Sequence, residues 1–202
     1  MSNLVITIGR QCGSRGKTIG KKVAEALGVK CYDKELLTEA AKHSGLCEEL
    51  FETHDEKPTN SFLYSLVMDT YSLGYTTSAY MDMPINHKIF LAQFDTIKKL
   101  ADQESCVIVG RCSDYTLRDN KNCLRVFFCA PMENRMKRVM DRLHLSEKDA
   151  KQKIQKEDKW RADNYRYYTG RIWGASANFD LTVNTALGEE YIEICIREAM
   201  KR

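Results

Sequence analysis

The chain contains no C-x-x-C pair, no G-x-G-x-x-G run, no apolar stretch of membrane-spanning length and no marked excess of either charge. Each absence removes a class of protein. Eight cysteines stand at positions 12, 31, 47, 106, 112, 123, 129 and 195, but without paired spacing they predict neither a zinc site nor a disulfide framework. Cys31, Cys106, Cys129 and Cys195 have apolar neighbours and read as small core residues, as expected of a protein kept in a reducing cytoplasm. The missing glycine fingerprint argues against a dinucleotide-binding fold. A formal net charge of +3 over 202 residues is too small to argue for nucleic acid by itself. A strand begins within four residues of Met1, so the expectation is no signal peptide and no membrane span. Internal repeats and low-complexity tracts are missing too, and the length suits one domain, or one core with insertions.

What is present is concentrated between Leu4 and Leu27. Leu4-Val5-Ile6-Thr7-Ile8 is apolar, β-branched and uncharged, the pattern of a strand buried on both faces. It runs into Gly9-Arg10-Gln11-Cys12-Gly13-Ser14-Arg15-Gly16-Lys17-Thr18, a turn rich in glycine. Beyond it Ile19, Val23, Ala26 and Leu27 recur at helical spacing, with Lys21, Lys22 and Glu25 on the other side. Strand, glycine loop and a helix opening on Gly-Lys-Thr make a phosphate-binding loop. Backbone N–H groups of such a loop turn inward on an anion at the positive end of the helix. Residues 13–18 (Gly13, Ser14, Arg15, Gly16, Lys17, Thr18) are therefore the expected ATP-binding segment. Lys17 is placed to reach the β- and γ-phosphates and Thr18 to ligate Mg²⁺. Gln11 occupies the position where the motif has its first glycine. A glycine turn built for packing alone is the competing reading.

Along the rest of the chain, Gly28 is expected to stop the first helix and Val29–Tyr32 to form a second strand. Asp33 stands at that strand's tip, either capping a helix over 34–44 or facing the ligand crevice. Residues 46–86 change character, with a polar loop and a helical insertion over Phe62–Tyr80. Asn86 is expected to cap an amphipathic helix carrying Ile89, Phe90, Phe94, Ile97 and Ala101 on one arc. Cys106–Val109 and Leu124–Cys129 read as the third and fourth strands and Phe179–Val183 as the last. Helices alternating with these strands predict a parallel sheet covered on both faces. The helix over 132–143 turns Met136, Val139, Met140 and Leu143 inward, with Arg135, Arg138 and Arg142 as a basic stripe facing either solvent or an anion. From Lys151 to Arg171 seven Lys/Arg outnumber three acids and are interleaved with Trp160, Tyr165, Tyr167 and Tyr168. A closing helix from about residue 189 to 201 is expected to turn Tyr191, Ile192, Cys195, Ile196 and Ala199 inward.

Four stretches together resemble the cytidylate kinase-like family of P-loop nucleoside monophosphate kinases. They are Gly13–Lys17 with Ile19-Gly20; Tyr32-Asp33-Lys34-Glu35-Leu36; Val107–Arg111 with Asp114-Tyr115; and Asp158–Asp163 leading to Tyr167-Tyr168-Thr169-Gly170. The resemblance implies an α/β three-layer sandwich with a parallel five-stranded sheet. It divides the single domain into a core (1–45, 87–142, 176–202), a helical nucleotide-side insertion (46–86) and a basic lid (143–175). Carried over by position, Arg111 is similar to the arginine that grips the acceptor phosphate. Asp158 and Arg161 are similar to the D-x-x-R of the lid. Cytidylate kinases end the third strand in Gly-Arg-Asp, where the aspartate helps read cytosine, and this chain has Cys112 there.

Phosphoryl transfer asks a protein chiefly for positioning and positive charge. The expected catalytic residues are Lys17, Arg111 and Arg161, with Arg166 a further lid arginine; Asp33, Arg111, Asp114, Asp158 and Arg161 are the expected acceptor contacts. ATP and Mg²⁺ are the expected cofactors, and no aspartate within Val107–Gly110 offers a second metal ligand beside Thr18. Asp114 is the nearest acid able to take over the cytosine contact, or else it caps a short helix over 113–117. The expected reaction is transfer of the ATP γ-phosphoryl group to a pyrimidine nucleotide, CMP or dCMP. Alternatives are a P-loop kinase for another small acceptor, an ATP-sensing module without transfer, and RNA binding by the basic aromatic lid. Glu157, Asp158 and Asp163 interrupt that patch and argue against nucleic acid. The sequence leaves the oligomeric state open.

Overall fold

The computed structural model describes residues 3–44, 46–54 and 84–200. Five strands, β1 (Val5–Arg10), β2 (Lys30–Tyr32), β3 (Cys106–Val109), β4 (Cys123–Cys129) and β5 (Leu181–Asn184), form one sheet in the order β2-β3-β1-β4-β5. Every pairing is parallel, with Ile6 against Val107 on one side of β1 and Leu124 on the other. Parallel neighbours need crossovers, and helices supply them. They are α1 (Gly16–Leu27), α2 (Glu35–Ser44), α3 (Glu48–His54), α4 (Ile85–Gln103), α5 (Ser113–Thr116), α6 (Met132–Leu143), α7 (Glu147–Thr169) and α8 (Glu189–Ala199).

Alternation along β1 sorts the two cores, because successive side chains of a strand point to opposite faces. Ile6 and Ile8 join Val107, Val109, Val126 and Phe128 beneath Ile19 and Val23 of α1 and Ile192 and Ile196 of α8. On the other face Val5 joins Cys106 and Ile108 beneath Leu36 of α2 and Ile97 and Leu100 of α4. The molecule is a three-layer α/β sandwich, as the alternation of elements implies.

Several expectations shift in detail. Ala24, not Ala26, takes the buried place on α1. Helix α4 starts behind Pro84 with Asn86 already inside it, since proline pre-sets the backbone angle and lacks the N–H a helix start leaves unused. Strand β5 begins at Leu181, because Phe179 ends a 3₁₀ turn over Ser176–Asn178. Leu143 and Tyr191, expected inward, are 39% and 54% exposed. Among the described residues no neighbouring element covers either of them. Cys106 is buried, whereas Cys31, Cys129 and Cys195 are only half-buried; all eight cysteines are free thiols. The start of the inserted segment packs on the core at α3, where Phe51 lies with Leu37, Ala40 and Ile89. The expected helix over 62–80 lies outside the described residues. No helix among the described residues is long and apolar enough to cross a membrane.

Ile108 is wholly buried between α2 and α4. Ile108→Ala should lower the unfolding free energy by about 2–5 kcal/mol, read from urea unfolding. A loss within the error of the measurement would mean this face of the sheet is not a packed core.

Candidate active site at the carboxyl ends of the strands

The loop between β1 and α1 turns at Gly13 (φ 77°) and Arg15 (φ 66°), not at Gln11. That explains why glutamine is tolerated where the motif has glycine: no left-handed backbone is needed there. Gln11 is tied on both sides instead, its N–H donating to Phe128 O (3.0 Å) and its Oε1 accepting from Ala130 N (3.1 Å). Gly13 has a second reason to be glycine, since a Cβ would sit 2.8 Å from the Arg135 carbonyl oxygen. Helix α1 opens at Gly16 without a side-chain cap from Arg15, which leaves its positive end to a ligand's phosphates. Thr18 is exposed beside it.

Three strand ends then meet on one carboxylate. Asp33, at the tip of β2, is 5% exposed. Its Oδ2 lies 2.5 Å from Lys17 Nζ, and its Oδ1 accepts from Arg111 Nη1 at 2.7 Å. The carboxylate therefore faces the crevice and holds two cations. Burial by itself would push the Asp33 carboxyl up, but the Arg111 guanidinium, Lys17 and nearby Arg10 reverse this and hold it below its ordinary value. Arg111 also donates to Val109 O (2.9 Å) and is itself buried.

The cleft in front of this group has a volume of about 660 Å³. Arg10, Arg15, Lys17, Lys34, Arg111, Arg138, Arg142 and Arg161 line it against only Asp33, Asp141 and Glu157. Such an excess of positive charge suits a polyanion. The stripe on α6 thus faces this anion-seeking cleft through Arg138 and Arg142. Arg10 had no signal beyond its place at the end of a central strand, and that place is itself the signal in an open α/β sheet.

Behind Arg111 the cleft narrows to a chamber of about 20 Å³, room for one water, reached by Arg10, Arg161, Cys112 and Asp114. Asp114 is 5% exposed and accepts from Tyr165 Oη at 2.6 Å. Its burial pushes the carboxyl up, outweighing Tyr165 and the local amides. The N-cap of α5 is Cys112, so Asp114 lies within the helix as a buried polar group and not at the cap position.

Helix α7 spans the proposed lid and is pinned along its length. Ala150 and Ile154 pack with Val139 and Cys12. At the far end Tyr168 stacks on Phe90 with ring centroids 3.9 Å apart, and Tyr167 Oη lies 2.8 Å from His87 Nε2. Arg161 reaches the cleft and the chamber, near Glu157 at 3.5 Å and Asp158 at 3.9 Å. Arg166 is exposed and not part of the cleft wall. Asp158 is turned to the loop, accepting from Cys12 N at 2.7 Å and pairing with Arg135. Cys12 itself is no nucleophile, because burial first, and then Glu157, push its thiol up to about 12.

A model of the cytidylate kinase-like family matches residues 5–187. A curated cytidylate kinase of Sulfolobus acidocaldarius is 32% identical over 118 residues, which are 57% of this chain and 62% of that protein. The match therefore spans under two thirds of the curated relative. Among solved structures, an uncharacterized protein from Eubacterium ventriosum is 27% identical, with a TM-score of 0.71 over 98% of this chain and 99% of that one. Shikimate kinase from Bacteroides thetaiotaomicron is 14% identical, with a TM-score of 0.56 over 98% and 99% of the two chains. A gluconokinase from Sinorhizobium meliloti is also 14% identical, with a TM-score of 0.50 over 99% and 91%. At such identities these two share the fold.

The carboxylate at the centre makes stability depend on acid. Asp33 is held below its ordinary value of 3.8, so its contribution is full above that value and is lost as pH falls through the lower, folded one. Asp33→Asn should cost about 3 kcal/mol at about pH 6, the scale of removing one member of a buried pair. The gap from wild type should close as pH falls below 3.8, followed by urea unfolding at each pH. A gap independent of pH would show that the carboxylate charge is not what holds Lys17 and Arg111.

Proposed function

We propose that this chain, which belongs to the cytidylate kinase-like family, moves the γ-phosphoryl group of ATP to a pyrimidine nucleoside monophosphate, with CMP and dCMP as first candidates. One observation carries the reading: the loop lysine and the strand-end arginine converge on Asp33 in a cleft lined by eight cations and three acids. This convergence supports donor and acceptor sides that lie within one side chain of each other.

In this reading the amides of residues 13–18 and Lys17 hold the donor phosphates, and Arg111 holds the acceptor phosphate. Arg161, reaching in from α7, faces the moving phosphoryl group, whose spread negative charge is what such a site stabilises. The attacking phosphate oxygen is already ionised, so no general base is required. As phosphates enter, Lys17 and Arg111 exchange the Asp33 carboxylate for them. Thr18 fits Mg²⁺, being an exposed hydroxyl oxygen on the cleft wall, and no group of three His, Cys, Asp or Glu among the described residues competes for the metal. When bound, the ion neutralises phosphate charge.

Asp114 supports a base-reading role, since it is a buried carboxyl beside the acceptor arginine on the wall of the small chamber. A site built to hydrogen-bond a base edge rejects the wrong base strongly. A second reading, a hydroxyl-bearing small acceptor, draws on Asp33, a buried carboxylate in the cleft that could take a hydroxyl proton once phosphates draw Lys17 and Arg111 away. RNA binding loses support, because Tyr165 and Tyr168 are buried and Tyr167 and Trp173 are partly buried against their cluster, which leaves less aromatic surface for bases to stack on.

A coupled ADP-release assay over CMP, dCMP, UMP, AMP, GMP and a set of hydroxylated acids separates these readings. The expected order puts CMP and dCMP first. Faster release with a hydroxyl acceptor would transfer the role to Asp33, and slow release with every acceptor would leave an ATP sensor.

Lys17→Met should lower kcat/KM by roughly 10²–10⁴ without unfolding the chain, because Asp33 keeps Arg111 as its partner. Turnover like that of wild type would remove the loop from the reaction.

A further inference from the structure

The entrance of the phosphate loop is held from outside by two helices. Cys12 uses both of its backbone groups in this: its N–H donates to Asp158 Oδ1 at 2.7 Å, and its carbonyl accepts from Arg135 Nη1 at 3.3 Å. Arg135 and Asp158 close the ring by pairing with each other through Nη1 and Oδ2. One residue further on, the Gly13 carbonyl accepts from Arg138 Nη1 at 3.3 Å, while the Gly13 α-carbon faces the Arg135 backbone. Arg135 is 6% exposed, and the Asp158 side chain is 17% exposed. Neither is part of the cleft wall, although Glu157 and Arg161 on the same helix are.

From this geometry we infer that Asp158 is a positioning residue of the ATP-phosphate loop and not a contact of the acceptor. The family pattern places Asp158 and Arg161 together on the acceptor side. Here Arg161 reaches the cleft while both Asp158 oxygens are engaged with the loop and the arginine behind it. The reason lies in the loop. Its first residues make one local turn, Ser14 N–H donating to Gln11 O at 3.2 Å, and tertiary partners at Gln11, Cys12 and Gly13 fix where that turn sits. Charge-assisted hydrogen bonds are short and directional, which suits them to fixing a backbone segment. Asp158 thus sets where the following amides, from Ser14 to Thr18, point.

The inference rests on the kinase reading only in its kinetic arm, so the test has two arms. In the ligand-free protein, amide hydrogen exchange of residues 11–18 should be faster in Asp158→Ala than in wild type. Asp158→Asn should fall between them, because an asparagine oxygen still accepts from Cys12 N–H but no longer pairs as an anion with Arg135. Should the alanine variant fail to fold, the asparagine variant carries the same comparison. In the second arm, ADP titrated into each variant should bind roughly 10-fold more weakly to Asp158→Ala, the scale of a misplaced binding segment. KM for the nucleotide acceptor should move much less than KM for ATP. Loop exchange unchanged in both variants would overturn the inference whatever the ligand. So would a raised acceptor KM with ADP binding intact, which would return Asp158 to the acceptor site. Absence of ADP binding by wild type would sink the kinase reading, and the exchange arm would still decide the role of Asp158.

Discussion

A single buried carboxylate organises the carboxyl end of the sheet. Asp33 draws Lys17 from the β1–α1 loop and Arg111 from the end of β3 onto the tip of β2. Three non-adjacent segments are brought to one point by charge, and each pays part of the desolvation the others demand. Neither cation is left facing the other across an empty cleft, which eight positive side chains would otherwise make repulsive. The same contact defines what a ligand must do. In the proposed reading a phosphate would displace Asp33 from Lys17 or Arg111 by offering a comparable anion in the same place, with the carboxylate as its stand-in at rest.

The second organising element is α7, whose acidic and basic surface conceals a set of inward anchors. Ala150 and Ile154 fix its first half to α6 and Cys12, and Tyr165 and Tyr168 fix its second half to Asp114 and Phe90. The helix is a brace between the β1–α1 loop and the small chamber, and Arg161 reaches the cleft and the chamber from its middle. A closing lid of the usual kind has few buried contacts, so that opening is cheap. In this conformation the span over 147–169 is anchored at both ends, and burial of its tyrosines resists a swing of the whole helix.

How much of this the sequence discloses depends on how local the cause is. The strands and the phosphate loop are legible because uncharged β-branched runs, glycine turns and Gly-Lys-Thr act within a few residues of themselves. The family pattern adds Arg111 and Arg161 by position. Asp33 was ambiguous, since an acid before a helix has a ready local use as a cap, and its two cations come from segments remote in the chain. Arg135 was read as one of a basic stripe facing solvent or an anion, yet it is buried because Asp158, twenty-three residues on, neutralises it. Leu143 and Tyr191 fit the helical period of their segments but fall where nothing covers them. Periodicity gives a face; it does not give the neighbour.

The turn after β3 shows why position alone could not settle the base-reading residue. Gly110, Arg111 and Cys112 all take positive φ, at 79°, 50° and 52°. For the two residues with side chains this backbone costs about 1–2 kcal/mol each. The surroundings hold it there: Ser113 N–H donates to Gly110 O at 3.0 Å, Thr116 N–H to Cys112 O at 2.9 Å, and Arg111 is fixed by its buried pair. Three left-handed residues in a row turn the chain sharply. Arg111 is thereby directed back toward β2, and Cys112 into the cluster of Phe90, Phe94, Tyr165 and Tyr168. Cys112, where the family carries its aspartate, thus packs in an apolar cluster at the chamber's edge. The next acid along, Asp114, lies on the same chamber one step into α5. In the proposed reading, strain of this size beside the acceptor arginine suits a site that positions a ligand, and the two roles that Gly-Arg-Asp combines are separated: the arginine stays, and the acid moves two residues on.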